Sequence, residues 1–200
     1  MVPSNHAPIP ELYVSYESAQ KLKHEAGAMP SWDLSPRQLC DLELLMNGGF
    51  YPLKGFLTEA DYDSVVETMR TSDGSLWPMP ITLDVSEEFA AKVEPGQDIA
   101  LRDAEGVILA LLSVTDKWVP NKDREAEKVF GANDLAHPAV NYLHNKAGKV
   151  YLGGPVTGIQ QPVHYDFKSR RDTPNELRAY FRKVGWTKVV AFQTRNPLHR

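Results

Sequence analysis

"DIALRDAEGVILALLSVTDKWV", residues 98–119, decides how the rest of the chain is read. Two largely apolar runs flank a turn from Asp103 to Gly106, and Gly106 permits the tight reversal that a hairpin needs. Two strands around a turn are the expectation. Just upstream, "PITLDV" (residues 80–85) alternates Ile81, Leu83 and Val85, the period of a strand with one buried face. Short strands with tight turns predict a small sheet or barrel.

Working outward, the flanks read as helices. In "SPRQLCDLELLMNGG" (residues 35–49), Ser35 is an N-cap, Pro36 fits the first helical position and Gln38 completes a capping box. Leu39, Leu42, Leu45 and Met46 form the apolar stripe, and Asn47, Gly48 and Gly49 end it. A second helix starts at Thr58, with Tyr62, Val65, Val66 and Met69 as its stripe. Residues 1–34 are punctuated by proline and read as irregular. Two short helices are expected after the hairpin, one over residues 124–130 closed by Gly131, the other starting at Pro138. "KVYLGGPVTGI" (residues 149–159) returns to strand character, with its glycines and proline as interruptions.

"HYDFKSRRDTPNELRAYFRKVGW" (residues 164–186) reads as a join followed by a helix. Thr173 caps, Pro174 opens and Glu176 completes a capping box; Leu177, Tyr180, Phe181 and Val184 make the stripe, and Gly185 stops it. Residues 188–192 read as a short buried-type strand. Helix, strand and loop are the opening of an α/β unit. About 34 residues cannot bury a core of their own, so the expectation is the front part of a longer protein.

Composition bounds the function. The 200 residues are 42% hydrophobic and 24% charged, with a formal charge of -4 and an isoelectric point near 5.9. That is a globular composition with no general attraction for nucleic acid or anionic membrane. No run approaches ~18 apolar residues, and the start has no secretory pattern, so a cytoplasmic protein is expected. The one cysteine, Cys40, rules out a disulfide within the chain. It is either a reactive thiol or a buried small hydrophobe among Leu39, Leu42 and Leu45, and the usual burial of free cysteine favours the second.

The chemistry concentrates in "QTRNPLHR" (residues 193–200). A loop leaving a parallel-type strand is the usual ligand position in α/β folds. Pro197 fits the start of a helix, whose free N–H groups attract phosphate. Arg195 supplies a rigid fork for an oxyanion, Asn196 donates and accepts, and His199 donates or carries charge. Together they suit phosphoryl or nucleotidyl transfer. The plainer reading is an Asn-Pro turn with Arg195 and Arg200 as solvated charges. Composition alone says "anion site" without saying which anion.

"FQTRNPLHR" resembles the nucleotide-and-sulfate loop of the ATP sulfurylase (sulfate adenylyltransferase) family. "DLELLMNGGFYPLKGFL" (residues 41–57), "VFGANDLAHPAV" (residues 129–140) with "KVYLGG" (residues 149–154), and "RDTPNELR" (residues 171–178) resemble its other signatures, in the family's order. The resemblance implies a PUA-like, β-barrel-like α+β domain over residues 1–166. It implies the beginning of a Rossmann-like α/β nucleotidyltransferase domain over residues 167–200. The family's later Gly-Arg-Asp-His loop is not in the sequence.

The implied reaction is MgATP plus sulfate giving adenylyl sulfate and pyrophosphate, in sulfate assimilation or in reverse, with Mg2+ arriving on ATP. By resemblance, Gln193 and Arg195 hold sulfate; Gln193, Thr194, Arg195, Asn196 and His199 hold ATP; Thr194, Arg195, Asn196 and His199 are the catalytic set. A homo-oligomer is expected, with no nucleic acid and no membrane as partners. A PUA-type RNA-binding module and an adenylyltransferase for another acceptor are the alternatives. No metal site is expected, because His137, His144 and His164 have no Cys or carboxylate at ligand spacing. "GGFYPLKGF" lacks a Walker ending and reads as structural turns. Arg170 and Arg171 either steer anions or solvate the join, and solvation is favoured.

Overall fold

The computed structural model describes residues 7–193. Its strands are β1 (Ser31–Asp33), β2 (Gly55–Phe56), β3 (Leu83–Val85), β4 (Asp98–Arg102), β5 (Ile108–Ser113), β6 (Asp116–Trp118) and β7 (Val150–Gly158). The quoted stretch is thus three strands, not two. β4 and β5 pair antiparallel across the turn, with a register shift between Leu101 and Arg102, and Asp116 then opens β6.

β7 is the axis of the sheet. Its first half lies between β3 (Val85 opposite Val150) and β6 (Trp118 opposite Tyr151); its second half lies between β2 (Phe56 opposite Gly154) and β5 (Leu112 opposite Val156). β1 joins the far edge, parallel to β4. The expectation that glycine and proline would interrupt residues 149–159 is overturned: β7 is one nine-residue strand. The glycines act where two neighbouring backbones come too close for a side chain. A Cβ on Gly153 would lie 2.3 Å from the Leu57 carbonyl oxygen, and one on Gly154 would lie 2.0 Å from that of Ser113. Gly154 also sits at φ 147°, which favours glycine.

Helix α1 (Tyr16–Ala26) occupies the region read as irregular. Ser15 Oγ accepts the Ser18 N–H, and the helix buries Ala19 and Ala26 against Ala100, Leu111 and Ile159. Alanine is a weak apolar marker, so the stripe is faint in the sequence. Helix α2 (Pro36–Met46) has its expected cap: Ser35 Oγ accepts the Gln38 N–H at 3.3 Å, and Gln38 Oε1 accepts the Ser35 N–H at 3.0 Å. It buries Leu42, Leu45 and Met46 in the main core with Leu83, Leu101, Leu112 and Leu152. Each such burial is worth about 2 kcal/mol. Cys40 is exposed, not buried, because it lies on the face of α2 turned from Leu42 and Met46.

Helix α3 (Glu59–Thr68) starts at its Thr58 cap and buries Tyr62, Val65 and Val66. Met69 is not part of that stripe. It ends the helix in the left-handed region at φ 55° and is 58% exposed. After α4 (Glu87–Ala90), the helix expected over residues 124–130 divides into α5 (Lys122–Glu125) and a π-helical turn, Ala126–Phe130, closed by Gly131 at φ 68°. Helix α6 (Pro138–Asn145) begins where expected, and α7 (Pro174–Val184) follows a 3-10 turn at Lys168–Arg170. Among the described residues no helix is long and apolar enough to cross a membrane.

Two buried acids of the core, Asp84 and Glu125, have hydrogen-bond partners. β3 does not alternate, since Leu83, Asp84 and Val85 are all buried. Asp84 is paired with Arg37 and accepts the Gln38 side-chain amide at 2.9 Å and the Gly148 N–H at 2.6 Å. Glu125 is buried beside Tyr62 and Tyr151, whose hydroxyls donate to its Oε2 at 2.9 and 3.1 Å. Burial raises the Glu125 carboxyl above its ordinary 4.5, and the two phenols only partly oppose that.

Gly154→Ala should lose about 3 kcal/mol or more of unfolding free energy in urea, because it combines a clash with backbone and a strained φ. Gly106→Ala, with φ 85° and open space around it, should lose about 1 kcal/mol. Similar losses for the two variants would refute the close-approach argument.

The raised Glu125 pKa has a definite sign. Below 4.5 both folded and unfolded chains hold the proton. As pH rises from there through the folded-state value, the unfolded chain releases its proton more readily, and stability falls. Glu125→Gln keeps an acceptor for the phenols and removes the titration. Its urea midpoint should therefore decline less than the parent's between about pH 4 and about pH 8. Parallel curves would show that the carboxyl titrates alike in both states.

Candidate functional site

The site expected from the sequence hangs from α7. Thr173 Oγ1 accepts the Glu176 N–H at 3.3 Å, and Glu176 Oε2 accepts the Thr173 N–H at 2.7 Å, so the expected capping box is present. The backbone bond from Thr173 holds the Glu176 carboxyl below its ordinary range. Gly185, at φ 76°, ends the helix. Trp186 then folds back to stack on Phe181, with 6.1 Å between ring centroids.

α7 buries none of its residues. Leu177, Tyr180 and Val184 lie 40 to 52% exposed on its apolar face. What holds the helix to the body is polar. Asn175 Oδ1 accepts the Ile9 N–H at 2.8 Å, while its Nδ2 donates to the Ile9 carbonyl at 2.9 Å and to Glu11 at 2.7 Å. Arg178 donates to the Ala7 carbonyl at 2.9 Å. Asn175 thus completes a backbone pair as a neighbouring strand would.

The join is pinned separately. His164 Nε2 lies 2.8 and 3.0 Å from the two Glu43 carboxylate oxygens on α2. Arg171 pairs with Asp166 at 2.7 Å and holds that carboxyl below its ordinary range. Arg171 is therefore engaged within the join. Arg170 lines a polar cleft of about 400 Å³ with Tyr13, Cys40, Glu43, His164 and Thr173. Glu43 and His164 are 121 residues apart, and nothing in either local pattern marks them as partners.

Residues 188–192 do not form the expected strand. Val190 is 94% and Phe192 79% exposed. A strand exists only through pairing, and no described segment lies beside this one. Gln193 is exposed and irregular. Thr194, Arg195, Asn196 and His199 lie outside the described residues, so the structure does not test their gathering into one site. Among the described residues, no group of three or more His, Cys, Asp or Glu is placed to hold a metal ion.

Comparison with known proteins adds a family to this geometry. Residues 2–161 match the family model of the PUA-like domain, and residues 168–200 match that of ATP-sulfurylase. The sulfate adenylyltransferase of Eremothecium gossypii is 51% identical over 184 residues, which cover 92% of this chain and 37% of that protein. That of Saccharomyces cerevisiae is 48% identical over 203 residues, covering all of this chain and 40% of the yeast protein. A solved structure described as a hexameric APS kinase from Thiobacillus denitrificans superposes with a TM-score of 0.77 at 38% identity, covering the whole chain and 35% of its own. The chain thus spans about two fifths or less of the relatives it matches. It belongs to the PUA-like domain family, in the form carried by the sulfate adenylyltransferases, and runs on into their ATP-sulfurylase segment.

Proposed function

We propose that the protein carrying this chain is a sulfate adenylyltransferase. The observation that carries the reading is the whole-chain identity of 48% to the yeast enzyme, in a chain that contains Gln193, Thr194, Arg195, Asn196 and His199 in sequence. The reaction joins a sulfate oxygen to the α-phosphorus of ATP and breaks the bond from that phosphorus to the pyrophosphate oxygen. Mg2+ enters with ATP as part of the substrate. The attacking group is already an anion, so no strong base is needed. The barrier lies in bringing two anions together, and donors and cations lower it.

In this reading Gln193 and Arg195 hold sulfate, and Thr194, Arg195 and Asn196 line the nucleotide. His199 meets charge as it develops on the transferring phosphate. Residues 1–166 are a PUA-like domain that carries the catalytic unit, and residues 167–200 begin a Rossmann-like unit. The cytoplasm and a homo-oligomer, for which the hexameric structural neighbour is the support, complete the proposal.

The test is sulfate-dependent release of pyrophosphate from MgATP by the protein that carries this chain. Arg195→Ala should slow it by at least about a hundredfold, the usual effect of removing one charge-assisted donor from a reacting centre. His199→Ala should lower kcat more than it raises the KM for ATP, because its contact strengthens in the transition state. Release that proceeds equally without sulfate would point to another acceptor. Turnover within about threefold of the parent for Arg195→Ala would remove that residue from the reaction.

A further inference from the structure

A second pocket, remote in sequence from the terminal loop, has the makings of a ligand site. It encloses about 310 Å³ between α6, the π-helical turn and β7, a size at the lower end of small-molecule sites. Val129, Phe130, Ala139 and Leu143 make its apolar wall, and Tyr142 and Tyr151 add aromatic surface. The polar residues lining it are Arg37, Thr82, Glu125 and the two tyrosines.

Most of that polar capacity is in use. Arg37 donates to Asp41 and Asp84, to the Thr82 carbonyl at 3.4 Å and to the Tyr142 hydroxyl at 3.3 Å. Tyr151 donates to Glu125. Lys122, the nearby cation, directs its ammonium to the carbonyls of Leu143 and Ala147 at 2.7 and 2.9 Å. Glu125 is different. It is 6% exposed, and both phenols bond to its Oε2, which leaves Oε1 without a partner and the carboxylate without an ion pair among the described residues. A carboxyl oxygen with spare acceptor capacity, on a side chain that lines the cavity, is a place for a donor.

A second observation points the same way. Glu125 immediately precedes the π-helical turn Ala126–Phe130, which supplies Val129 and Phe130 to the pocket wall. Single π turns are rare and recur at functional sites, because the wider turn re-aims its side chains.

We propose that this pocket binds a small primary amine, its apolar body against Phe130 and Leu143 and its ammonium on Glu125 Oε1. An ammonium there would keep the carboxylate ionised, and the aromatic rings add a cation–π contribution. The inference stands apart from adenylyl transfer and does not rest on it.

Benzylamine is the probe, with benzyl alcohol as its uncharged counterpart of the same shape. Amide chemical-shift titration of the protein carrying this chain should show saturable shifts in α6 and the π turn at millimolar benzylamine. The alcohol should bind at least about tenfold more weakly, the worth of a charge-assisted bond over a neutral one. Glu125→Gln should erase that preference. Ala139→Trp, which fills the cavity from α6 and leaves Glu125 intact, should abolish binding of both probes. No saturable shift with benzylamine, equal affinity for the alcohol, or undiminished binding to Ala139→Trp would each overturn the proposal. Should Glu125→Gln fail to fold, the amine-to-alcohol ratio and Ala139→Trp still decide it.

Discussion

The contact of backbone on backbone at Gly153 and Gly154 is the constraint on which the architecture depends. β7 has one set of partners, β3 and β6, before this pair and another, β2 and β5, after it. To change partners in mid-strand, the chain must pass within van der Waals range of two carbonyls at once, those of Leu57 and Ser113. The Thr115 N–H then donates to the Gly153 carbonyl at 2.9 Å, and the Val156 N–H to that of Lys54 at 2.9 Å, so the crossing leaves those groups satisfied. Gly55 answers from the other side, where a Cβ would stand 2.1 Å from the Gly154 carbonyl. Three glycines from two distant signatures therefore form one mechanical unit.

Around that crossing the core admits charge only where it can be matched. Asp84 is taken up by Arg37, the Gln38 amide and the Gly148 N–H, and Gln38 also serves as the capping-box residue of α2. The start of α2 and the register of β3 are thereby tied together. Such a network favours one arrangement over its neighbours, since any slip leaves a buried carboxylate without donors. Glu125 is matched on one oxygen only, and this unevenness separates it from Asp84.

The helix starts were legible because caps are local. Ser35 with Gln38, Thr58, and Thr173 with Glu176 each announce a helix within four residues, and each sits where the sequence reading puts it. Features set by distant partners were not legible. α1 hides because its buried face is mostly alanine; Met69 falls on the stripe's period yet lands in a left-handed cap; and Gly153-Gly154 reads as a break until β2 and β5 are in place. Asp84 falls on the polar phase of an alternating pattern, and only its partners Arg37, Gln38 and Gly148 explain its burial. Of the candidate site, Gln193 is placed as an exposed residue and the rest of the loop lies outside the described residues. The residues that tether its helix, Asn175 and Arg178, carry no local signal of that role, because their partners lie more than 160 residues away.

That tether bears on how α7 is oriented. An isolated helix of eleven residues is marginal in water, and α7 gains no buried side chain to offset its ordering. Its capping box stabilises the first turn, and the Trp186 return stabilises the last. Neither fixes its direction relative to the sheet. Asn175 does so, by bonding both backbone groups of Ile9, and the same N-terminal segment continues to β7, where the Val14 N–H donates to the Gly158 carbonyl at 3.0 Å. The path from the PUA-like sheet to the helix before the loop thus runs through residues 9–14 and one amide side chain, as well as through the His164–Glu43 pair at the join. Two short polar links in parallel hold an angle more firmly than either alone. They do so without the large apolar interface that would lock α7 in place, and the apolar face of Leu177, Tyr180 and Val184 is left free to pack elsewhere.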